Sequence, residues 1–514
     1  MPNIGRSLTR TKRGVAVPEL KDRAYWLEKA QSLRIEGRAF VEGRYVDAQS
    51  AATFNAYSPV DGSLLAPVAL CASADVDLAV AAARRSFEAG VWSQLAARER
   101  KAVLLKWAAL LEAHSDELAV LESLDSGKPI ADTTGGDLPG TIYCLRWFAE
   151  LIDKVHGEVP ATDPQFFGTV TAQPMGVVAA VVPWNYPLLM AAWKFAPALA
   201  AGNSVVLKPS EKTPLSVLRV AALAVEAGLP AGVFNVVTGD GAVGRDLSLH
   251  GDVDCIAFTG SGKVGREIAR NAAASNLKRV WLELGGKSAN IVMADCPDIT
   301  QAARSAAAAI FANMGQVCSA GSRLLVQRSV AEPLLRELLV AADAYQPGHP
   351  LDPDSVTGAI IDGVQFERVL HYIDIGKQEA QLLKGGQPLA LEASGAYLEP
   401  TIFLAEDSSA RIANEEIFGP VLVVIPFDTL EDAIAIANQT EFGLAAAVWS
   451  SDLKTIHIAT RQLKAGTVWV NCYDELVDMN FPFGGFKESG NGRDNSVHAL
   501  SKYTELKSTI MRCA

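Results

Sequence analysis

The chain has 514 residues, 49% of them apolar and 20% charged, and its 58 Asp and Glu against 46 Lys and Arg give a formal charge of −12. This composition predicts a soluble globular protein large enough for several cores. An acidic balance without a Lys/Arg cluster argues against nucleic acid and anionic membranes as partners, but it allows an anionic small molecule held by backbone amides.

The cysteine and histidine spacings exclude several kinds of site. The seven cysteines include no CxxC pair and the histidines include no HExxH, so no metal site is predicted. An odd number of widely spaced cysteines argues against a secreted disulfide framework and favours a reducing, cytoplasmic compartment. The basic segment Arg6–Arg13 precedes no apolar stretch; we interpret it as a loose arm, with an organellar targeting signal as the alternative.

The first predicted elements are a hairpin over Phe40–Val46 and two helices, Val76–Ala89 and Ala97–Leu121. In both helices apolar residues recur at i, i+3, i+4 and i+7, and the first helix is expected to end at Gly90. Further along, a long hairpin is predicted over Lys154–Gln173.

The apolar run Gly176–Trp193 resembles a membrane span. Prolines flank its single strongly polar residue, Asn185, and a span requires about 20 apolar residues. We instead predict a buried strand at Val177–Val182, a turn, and a helix from about Leu188.

From this point short β-branched runs alternate with helical windows such as Leu215–Ala227. The alternation predicts βαβ units around a parallel sheet, with ligands beyond the carboxyl ends of its strands. The predicted strands are 177–182, 203–208, 233–237, 254–258 and 279–283. A second α/β region is predicted over residues 284–480, with helices near 299–313 and 429–438 and strands near 322–327, 420–425 and 467–471.

The chain is predicted to end in a strand, Tyr503–Met511. An unpaired terminal strand is an exposed edge of a sheet. We therefore expect this strand and the hairpin over Lys154–Gln173 to meet across a subunit interface.

The turn after strand 254–258 matches GxGxxG at Gly260, Gly262 and Gly265. Between a strand and a helix, such a turn lets a pyrophosphate approach helix N-terminal amides; the alternative is a turn that only needs small residues. Taken literally, the fingerprint would place Glu283 on the ribose. Cys318 is either a buried inert thiol or, beside a dinucleotide site and a lone carboxylate, a nucleophile.

Five segments together resemble the signatures of NAD(P)-dependent aldehyde dehydrogenases, in the order of that family. They are Pro183–Pro187, Leu282–Lys287, Gly315–Cys318, Glu415–Pro420 and Pro482–Lys487, and the resemblance runs from about residue 24 to the C-terminus. Four further segments are similar to the bacterial γ-glutamyl-γ-aminobutyraldehyde and guanidinobutyraldehyde dehydrogenases of polyamine catabolism: Lys278–Glu283, Gln346–Pro353, Ser489–Asp494 and His498–Leu500.

The resemblance implies an α/β protein with the aldehyde dehydrogenase fold: a Rossmann-like parallel-sheet coenzyme domain, an α/β catalytic domain and a β-hairpin oligomerisation element. A homo-oligomer, dimer or tetramer, is expected. The expected divisions are residues 1–153 (N-terminal part of the coenzyme domain), 154–174 (oligomerisation hairpin), 175–283 (NAD-binding core), 284–485 (catalytic domain) and 486–514 (C-terminal oligomerisation strand).

The resemblance assigns the chemistry to four residues. Cys318 adds to the aldehyde as a thiolate, because a trigonal aldehyde is a poor hydride donor until it becomes tetrahedral. The Asn185 amide and the Cys318 N–H stabilise the oxyanion, and Glu283, which coenzyme A-acylating relatives lack, activates the water that hydrolyses the thioester. Lys194 is placed near the cofactor and the proton route. The alternatives are a turn-forming Asn185 and a solvated helix-face Lys194.

The resemblance also replaces the literal fingerprint at the coenzyme site. It places the adenosine ribose on Lys208 and Glu211, the pyrophosphate near Ser261, and the nicotinamide ribose on Glu416 with Phe418 beside the ring. A carboxylate at position 211 would repel a 2′-phosphate, so NAD is favoured and NADP is the alternative. The other predicted cofactor residues are Trp184, Ser210, Gly241, Gly260, Gly265 and Leu284.

Two places depart from the family pattern. Gly262 stands where the family commonly has Thr. The loop Cys472–Phe481 is about one residue longer than in close relatives. We hypothesise that Glu475 or Asp478 in this loop attracts the cationic end of a substrate; a solvated acidic loop is the alternative.

We therefore predict NAD-dependent oxidation of an aldehyde to a carboxylic acid, with an ω-aminoaldehyde or its γ-glutamyl or guanidino derivative as substrate. The alternative within the enzyme class is a broad-range or betaine-type aldehyde dehydrogenase. From another class, the alternative is a non-catalytic scaffold protein on this fold, which is expected to have lost the nucleophile.

Overall fold

The computed structural model describes residues 20–392, 395–476 and 478–513; the basic arm over Arg6–Arg13 lies outside them. Within these ranges the helices are α1 (Arg23–Ser32), α2 (Ser73–Glu88), α3 (Ala97–Ala113), α4 (Ser115–Ser126), α5 (Ile130–Asp132), α6 (Leu138–Leu151), α7 (Pro187–Ala200), α8 (Leu215–Ala227), α9 (Gly241–Leu249), α10 (Gly262–Ala274), α11 (Ile299–Phe311), α12 (Ala331–Ala342), α13 (Gly363–Glu379), α14 (Arg411–Asn414), α15 (Leu430–Asn438) and α16 (Leu453–Gln462).

The strands of the same ranges are β1 (Ala39–Val41), β2 (Arg44–Val46), β3 (Thr53–Tyr57), β4 (Leu64–Ala69), β5 (Phe166–Pro174), β6 (Val177–Val181), β7 (Ser204–Lys208), β8 (Phe234–Val236), β9 (Cys255–Thr259), β10 (Arg279–Glu283), β11 (Ala289–Val292), β12 (Arg323–Gln327), β13 (Gln381–Lys384), β14 (Pro388–Leu389), β15 (Tyr397–Leu398), β16 (Thr401–Leu404), β17 (Val421–Phe427), β18 (Ala445–Trp449), β19 (Thr467–Val470), β20 (Gly490–Asn491) and β21 (Thr504–Arg512).

Five parallel strands form the centre of an eight-stranded sheet, in the order β8-β7-β6-β9-β10. Strands β6, β7 and β9 are buried along their whole length, as expected where helices cover both faces of a parallel sheet. The five strands predicted here are confirmed to within one residue at each end, and α8 matches its predicted range. The carboxyl ends of these strands meet along one edge of the sheet.

Antiparallel strands close both sides of this sheet. The predicted hairpin is confirmed as β1 and β2, and it joins β8 through a single pair, Phe40 with Val236. At the other side, β20 pairs with Leu282 and Glu283 of β10. The C-terminal part of the chain therefore lies directly against the strand that ends at Glu283.

A second sheet of seven strands has the order β13-β16-β17-β12-β11-β18-β19 and is parallel apart from β13. The strands and helices predicted for residues 284–480 lie within two residues of observed elements. The predicted α/β class is thereby confirmed, with helices packed on two mainly parallel sheets.

The single helix predicted over Ala97–Leu121 is wrong. The helix breaks at His114 (φ −103°, ψ 17°), which ends α3 and precedes α4. The apolar period continues through the break, so the sequence pattern does not show it. Glu117, in the first turn of α4, hydrogen-bonds His114 at 2.8 Å and Arg219 of α8 at 2.8 Å, which ties the redirected helix to its neighbour.

The long hairpin predicted over Lys154–Gln173 is also wrong in extent. Its first arm makes only one isolated bridge, between Glu158 and Val170. Strand β5 instead pairs along its whole length with β21, so the two segments expected to meet do so within one chain. Their contact across a subunit interface stays a prediction.

The apolar run Gly176–Trp193 forms β6, a turn and the first half of α7. Among the described residues, the structure contains no helix that is long and apolar enough to cross a membrane.

Candidate active site

Asn185 occupies the turn between β6 and α7. Its side-chain amide donates to the main-chain carbonyl of Gln316 at 2.8 Å, and the Asn313 side chain donates to the Asn185 carbonyl at 3.2 Å. Asn185 is only 5% exposed. The turn at the carboxyl edge of the coenzyme sheet is thus joined to the loop that carries Cys318.

The Cys318 loop has a strained backbone. After α11, Asn313, Met314 and Gly315 all adopt positive φ, of 49°, 55° and 68°. Such a run reverses the chain sharply, and only glycine enters this region without a steric cost. A Cβ on Gly315 would also lie 2.1 Å from the carbonyl oxygen of Gly419. Position 315 therefore requires glycine both because of its positive φ and because there is no space for a side chain.

Side chains and main chain from distant segments hold the same loop. The Tyr473 hydroxyl donates to the Ser319 carbonyl at 2.6 Å, and the main-chain N–H of Ile361 donates to the Gln316 side chain at 3.0 Å. The thiol between them is therefore presented by a backbone fixed on both sides, which is what a nucleophile needs for a defined attack geometry.

The Cys318 thiol lies in a protein environment that disfavours the thiolate. Burial raises its pKa to about 12, and the nearby carboxylates of Glu416, Glu283 and Asp474 act in the same direction. The thiol is protonated at neutral pH, so nucleophilic attack requires transfer of its proton to a base.

Glu283 ends β10 and is 5% exposed. Neither of its carboxylate oxygens has a hydrogen-bond partner in the described part of the chain. Burial raises the pKa of Glu283 well above its ordinary value and Asp494 adds to the rise, whereas Lys194, Lys502 and Arg493 oppose it. An orphaned buried carboxyl group beside a thiol is poised to act on a small reactant such as water.

Lys194 is fully buried in α7 rather than solvated on a helix face. Its ammonium pairs with one carboxylate oxygen of Asp494, and Lys502 pairs with the other. Burial lowers the pKa of Lys194 although Asp494 opposes the shift. The sequence predicts a role for Lys194 beside the coenzyme. The structure adds a buried salt bridge from Lys194 to Asp494, which the sequence does not indicate.

The adenosine side of the predicted coenzyme site follows β7. Lys208 ends this strand, and its ammonium lies 3.1 Å from the Glu211 carboxylate. Ser210 is buried between them, and its hydroxyl accepts from the Lys212 N–H at 3.3 Å. Gly241 begins α9, and a Cβ there would meet no atom within 4 Å, so the start of this helix is unobstructed.

The turn before α10 has the expected form. The Ser261 hydroxyl accepts from the Val264 N–H at 3.4 Å and caps the helix. A Cβ on Gly265 would lie 2.7 Å from the Leu284 side chain, and one on Gly260 would lie 2.5 Å from the Phe258 ring. Both glycines are needed for close packing, as expected from the alternative of a turn that only needs small residues. This packing leaves the N-terminus of α10 uncovered.

The nicotinamide side of the predicted site lies at Glu416. Its carboxylate accepts from the Gly286 N–H at 3.0 Å, and a Cβ on Gly285 would lie 2.2 Å from the same carboxylate. Trp184 and Phe418 meet edge to face with ring centres 5.3 Å apart. These aromatic rings lie between the Asn185 turn and the Glu416 segment.

The residues present fit a dinucleotide. The Thr259 hydroxyl at the end of β9 is buried without a hydrogen-bond partner in the described residues, next to the open N-terminus of α10, where an anion is favoured. Lys208 ends β7 of the eight-stranded sheet, and Glu416 lies in the loop that leads into β17 of the seven-stranded sheet. The described ranges contain no group of three or more His, Cys, Asp or Glu side chains that could hold a metal ion.

The acidic loop over Cys472–Phe481 divides its carboxylates between several contacts. Glu475 accepts from the Ser305 hydroxyl at 3.1 Å, and Asp478 accepts from the main chain and side chain of Asn480 at 2.9 and 2.8 Å. Asp474 is exposed and acts electrostatically on Cys318. The hypothesis named Glu475 and Asp478; of the carboxylates in this loop, Asp474 is the one that contributes to the raised pKa of Cys318, after burial, Glu416 and Glu283.

Sequence reasoning missed the contribution of Lys502 and Tyr473. Tyr473 donates to the carbonyl of Ser319, next to Cys318, and Lys502 pairs with Asp494, which belongs to a motif already noted. Neither Tyr473 nor Lys502 carries a local sequence pattern that marks it, because both contacts depend on how the chain folds back.

Comparisons with known proteins find similarity to one family over almost the whole chain. The sequence profile described as the aldehyde dehydrogenase family matches residues 45–509. An Escherichia coli K12 protein named NADP/NAD-dependent aldehyde dehydrogenase PuuC is 53% identical over 485 residues, which cover 94% of this chain and 97% of that protein.

Two solved structures show the same similarity. A γ-glutamyl-γ-aminobutyraldehyde dehydrogenase from Burkholderia cenocepacia J2315 has 62% identity and a TM-score of 0.95, covering 96% of this chain and 100% of that one. The indole-3-acetaldehyde dehydrogenase AldA of P. syringae, in complex with NAD+ and IAA, has 55% identity and a TM-score of 0.95 with the same coverage.

Proposed function

The chain belongs to the aldehyde dehydrogenase family and is an NAD(P)-dependent aldehyde oxidoreductase, and from this premise we propose that it oxidises an ω-aminoaldehyde, or a γ-glutamyl or guanidino derivative of one, to the carboxylic acid. The observation that carries the mechanism is the convergence of three side chains from distant segments. Asn185 is hydrogen-bonded to the Cys318 loop, and Glu283 lies within electrostatic reach of the Cys318 thiol.

Cys318 is the proposed nucleophile. Its thiol loses a proton, and the sulfur adds to the aldehyde carbon to give a tetrahedral thiohemiacetal with a negatively charged oxygen. Because burial raises the pKa of this thiol, deprotonation has to be coupled to substrate addition, with the proton passing to water or to Glu283.

The oxyanion is proposed to lie against Asn185. A primary amide carries two N–H hydrogens, and only one is used in the bond to Gln316. The second hydrogen, with the N–H of Cys318, forms an oxyanion hole whose donors contribute about 3 kcal/mol each in comparable sites. The coenzyme, when bound, supplies the acceptor for the hydride that leaves the thiohemiacetal carbon.

Hydrolysis of the resulting thioester is assigned to Glu283. Its carboxylate takes a proton from water, the water oxygen adds to the thioester carbonyl, and the thiolate of Cys318 leaves with release of the acid. Within the described residues neither Glu283 oxygen has a hydrogen-bond partner, which supports this role because both oxygens remain available to a water molecule.

NAD is proposed as the preferred coenzyme. Lys208 and Glu211 form an ion pair of 3.1 Å at the end of β7, where the ribose hydroxyls are expected. A carboxylate there favours two ribose hydroxyls and repels a 2′-phosphate. Glu416 is proposed to hold the second ribose, with its carboxylate oriented by Gly286.

The substrate proposal is supported by the B. cenocepacia relative, whose name gives γ-glutamyl-γ-aminobutyraldehyde, and by the acidic loop. Asp474, in the loop that holds Glu475 and Asp478, acts electrostatically on both Cys318 and Tyr186, so this loop contributes negative charge to the region of the thiol. Such a field raises the local concentration of a cationic aldehyde. A broad-range specificity is favoured instead by the P. syringae relative, which is named for a neutral aldehyde.

NADH formation with a matched panel decides between these substrates: aminobutyraldehyde, guanidinobutyraldehyde, γ-glutamyl-aminobutyraldehyde, betaine aldehyde, indole-3-acetaldehyde and butanal. Wild type and the Cys318→Ser control are assayed first. Asp474→Asn, Glu475→Gln and Asp478→Asn are then compared with Glu332→Gln, which is exposed on α12. We expect a selective loss of kcat/KM for the cationic aldehydes; equal losses for butanal would contradict the electrostatic role.

A homo-oligomer in the cytoplasm is proposed for the assembled protein. Strands β5 and β21 expose Phe166, Leu506 and Ile510 on one face and Phe167 on the other, and exposed apolar side chains clustered on a sheet face favour a protein interface. The unpaired cysteines fit a reducing compartment. Light scattering of wild type and Leu506→Glu/Ile510→Glu tests the assembly.

A further inference from the structure

A buried group of three charged side chains, Lys194, Asp494 and Lys502, lies beside Glu283. Each carboxylate oxygen of Asp494 accepts from one ammonium group, and all three side chains are at most 2% exposed. Two cations and one anion give this charge cluster a surplus of one positive charge, and buried charges keep their effect because water does not screen them.

The surplus charge faces the carboxyl group of Glu283. Lys194, Lys502 and Arg493 stabilise the ionised form of Glu283, whereas Asp494 and burial oppose it. The Cys318 thiol and the Tyr503 hydroxyl also respond to Glu283. Despite burial, the two lysines hold the pKa of Asp494 below its ordinary value. Asp494 therefore stays ionised, and each lysine contributes to the net charge of the cluster.

Lys502 is held in register with Glu283 through the main chain. Its carbonyl accepts from the Trp281 indole at 2.7 Å, and Trp281 lies two residues before Glu283 on β10. The stem of Lys502 passes Gly492, where φ is +79° and a Cβ would lie 3.1 Å from the lysine side chain. The ammonium is thus directed to Asp494 by anchored neighbours.

We propose that Lys502 is a positioning residue for thioester hydrolysis, which acts through Asp494 to keep a surplus positive charge beside Glu283 and so stabilises the carboxylate that takes a proton from water. This inference rests on the hydrolytic role proposed for Glu283. Lys194 alone leaves a neutral pair with Asp494, so the surplus depends on the second lysine.

The first test is Lys502→Met in the full-length enzyme. We expect the initial burst of about one NADH per site to persist, because the Cys318 step does not need the surplus charge. The acid limb of kcat moves upward by about one pH unit, which is about tenfold lower turnover below that limb. Lys502→Arg restores the wild-type limb because it keeps the charge.

The second test separates charge from structure. Lys502→Gln keeps a side chain that can donate to Asp494 but removes the charge, whereas removing Asp494 would leave Lys194 buried without a counter-ion. We expect the acid limb of Lys502→Gln to move upward as in Lys502→Met. A purely structural role for Lys502 predicts instead that the limb stays at its wild-type pH and that any loss of turnover is the same at every pH.

The outcomes are distinguishable. An active Lys502→Met enzyme with an unchanged acid limb overturns the inference. A wild-type enzyme that shows no burst and no thioester hydrolysis contradicts the proposed function instead. If Lys502→Met is unstable, Lys502→Gln decides alone, since it keeps a donor for the Asp494 carboxylate.

Discussion

The side chain of Asn185 and the carbonyl of Gln316 are joined by a hydrogen bond of 2.8 Å. The bond links the turn after β6 to the Cys318 loop, which precedes β12, and β6 and β12 belong to different sheets. One amide hydrogen is used in this bond, and the proposed oxyanion role uses the other. The structural contribution of Asn185 and its proposed chemical function can therefore be tested separately.

Replacing Asn185 by Ala removes the second oxyanion donor together with the bond to Gln316. We expect kcat/KM to fall about 10²–10³-fold. Thermal unfolding of the variant measures the structural share. If kcat/KM falls no more than a few-fold while the fold is intact, the oxyanion role is contradicted.

The ionisation of Cys318 makes its reactivity dependent on pH. Burial raises the pKa of the thiol to about 12, and only the thiolate is alkylated. We expect the rate of iodoacetamide labelling in the coenzyme-free enzyme to rise about tenfold per pH unit from pH 7 to pH 10. Peptide mass spectrometry follows the labelling, with Cys318→Ser as control; a plateau near pH 8 would show an activated thiolate.

Glu283→Gln separates the two halves of the reaction. The amide cannot take a proton from water, so we expect steady-state turnover to fall at least about 100-fold. The burst of NADH from the first half-reaction persists, because the thiohemiacetal carbon can still lose its hydride. Rapid-mixing absorbance measures both phases. Loss of the burst in a folded variant would assign Glu283 an essential part in activating Cys318.

Gly315→Ala tests the strained loop. A methyl group there lies 2.1 Å from the Gly419 carbonyl oxygen and requires φ of 68°, so the loop must move. A non-glycine residue in this region costs about 1–3 kcal/mol. We expect a lower unfolding temperature and at least tenfold lower kcat. The matched control is Gly136→Ala, where a Cβ meets no atom within 4 Å and both properties are expected to hold.

The buried carboxyl group of Asp125, in α4, makes the free energy of unfolding depend on pH. Burial raises the pKa of Asp125 to about 8, although the Leu215 N–H opposes the rise. The unfolded chain releases this proton near pH 4, whereas the folded protein keeps it until about pH 8. The folded state therefore binds more protons between these values, and this group's contribution to stability falls as pH rises from 4 to 8.

The matching variant is Asp125→Asn, which keeps an acceptor for the Leu215 N–H. We expect an unfolding temperature similar to wild type at pH 5 and about 1–3 °C higher at pH 8.5. Calorimetry at the two pH values measures the difference. A variant destabilised equally at both values would show that the carboxylate is ionised and needed.

Much of the fold was predictable because its signals are local. The strand and helix periods around the parallel sheet require only a residue and its near neighbours, so β6, β7 and α8 were found within one residue. The signature segments likewise marked Asn185, Glu283 and Cys318, because each motif lies on a few consecutive residues.

Other features depend on which segments meet. The break at His114 leaves the apolar period unchanged, and the main partner of β5 is a strand more than 300 residues later, which neither sequence pattern specifies. The pairing of Lys194 and Lys502 with Asp494 depends on the same kind of contact.

The amino-acid sequence by itself determined the class of fold and predicted the nucleophile, the general base and the oxyanion amide, because periodicity and motif chemistry are properties of short segments. Only the tertiary structure decided the ionisation of these groups. Burial and opposing charges set the pKa of Cys318, Glu283 and Asp125, and those charges come from residues brought together across the whole chain.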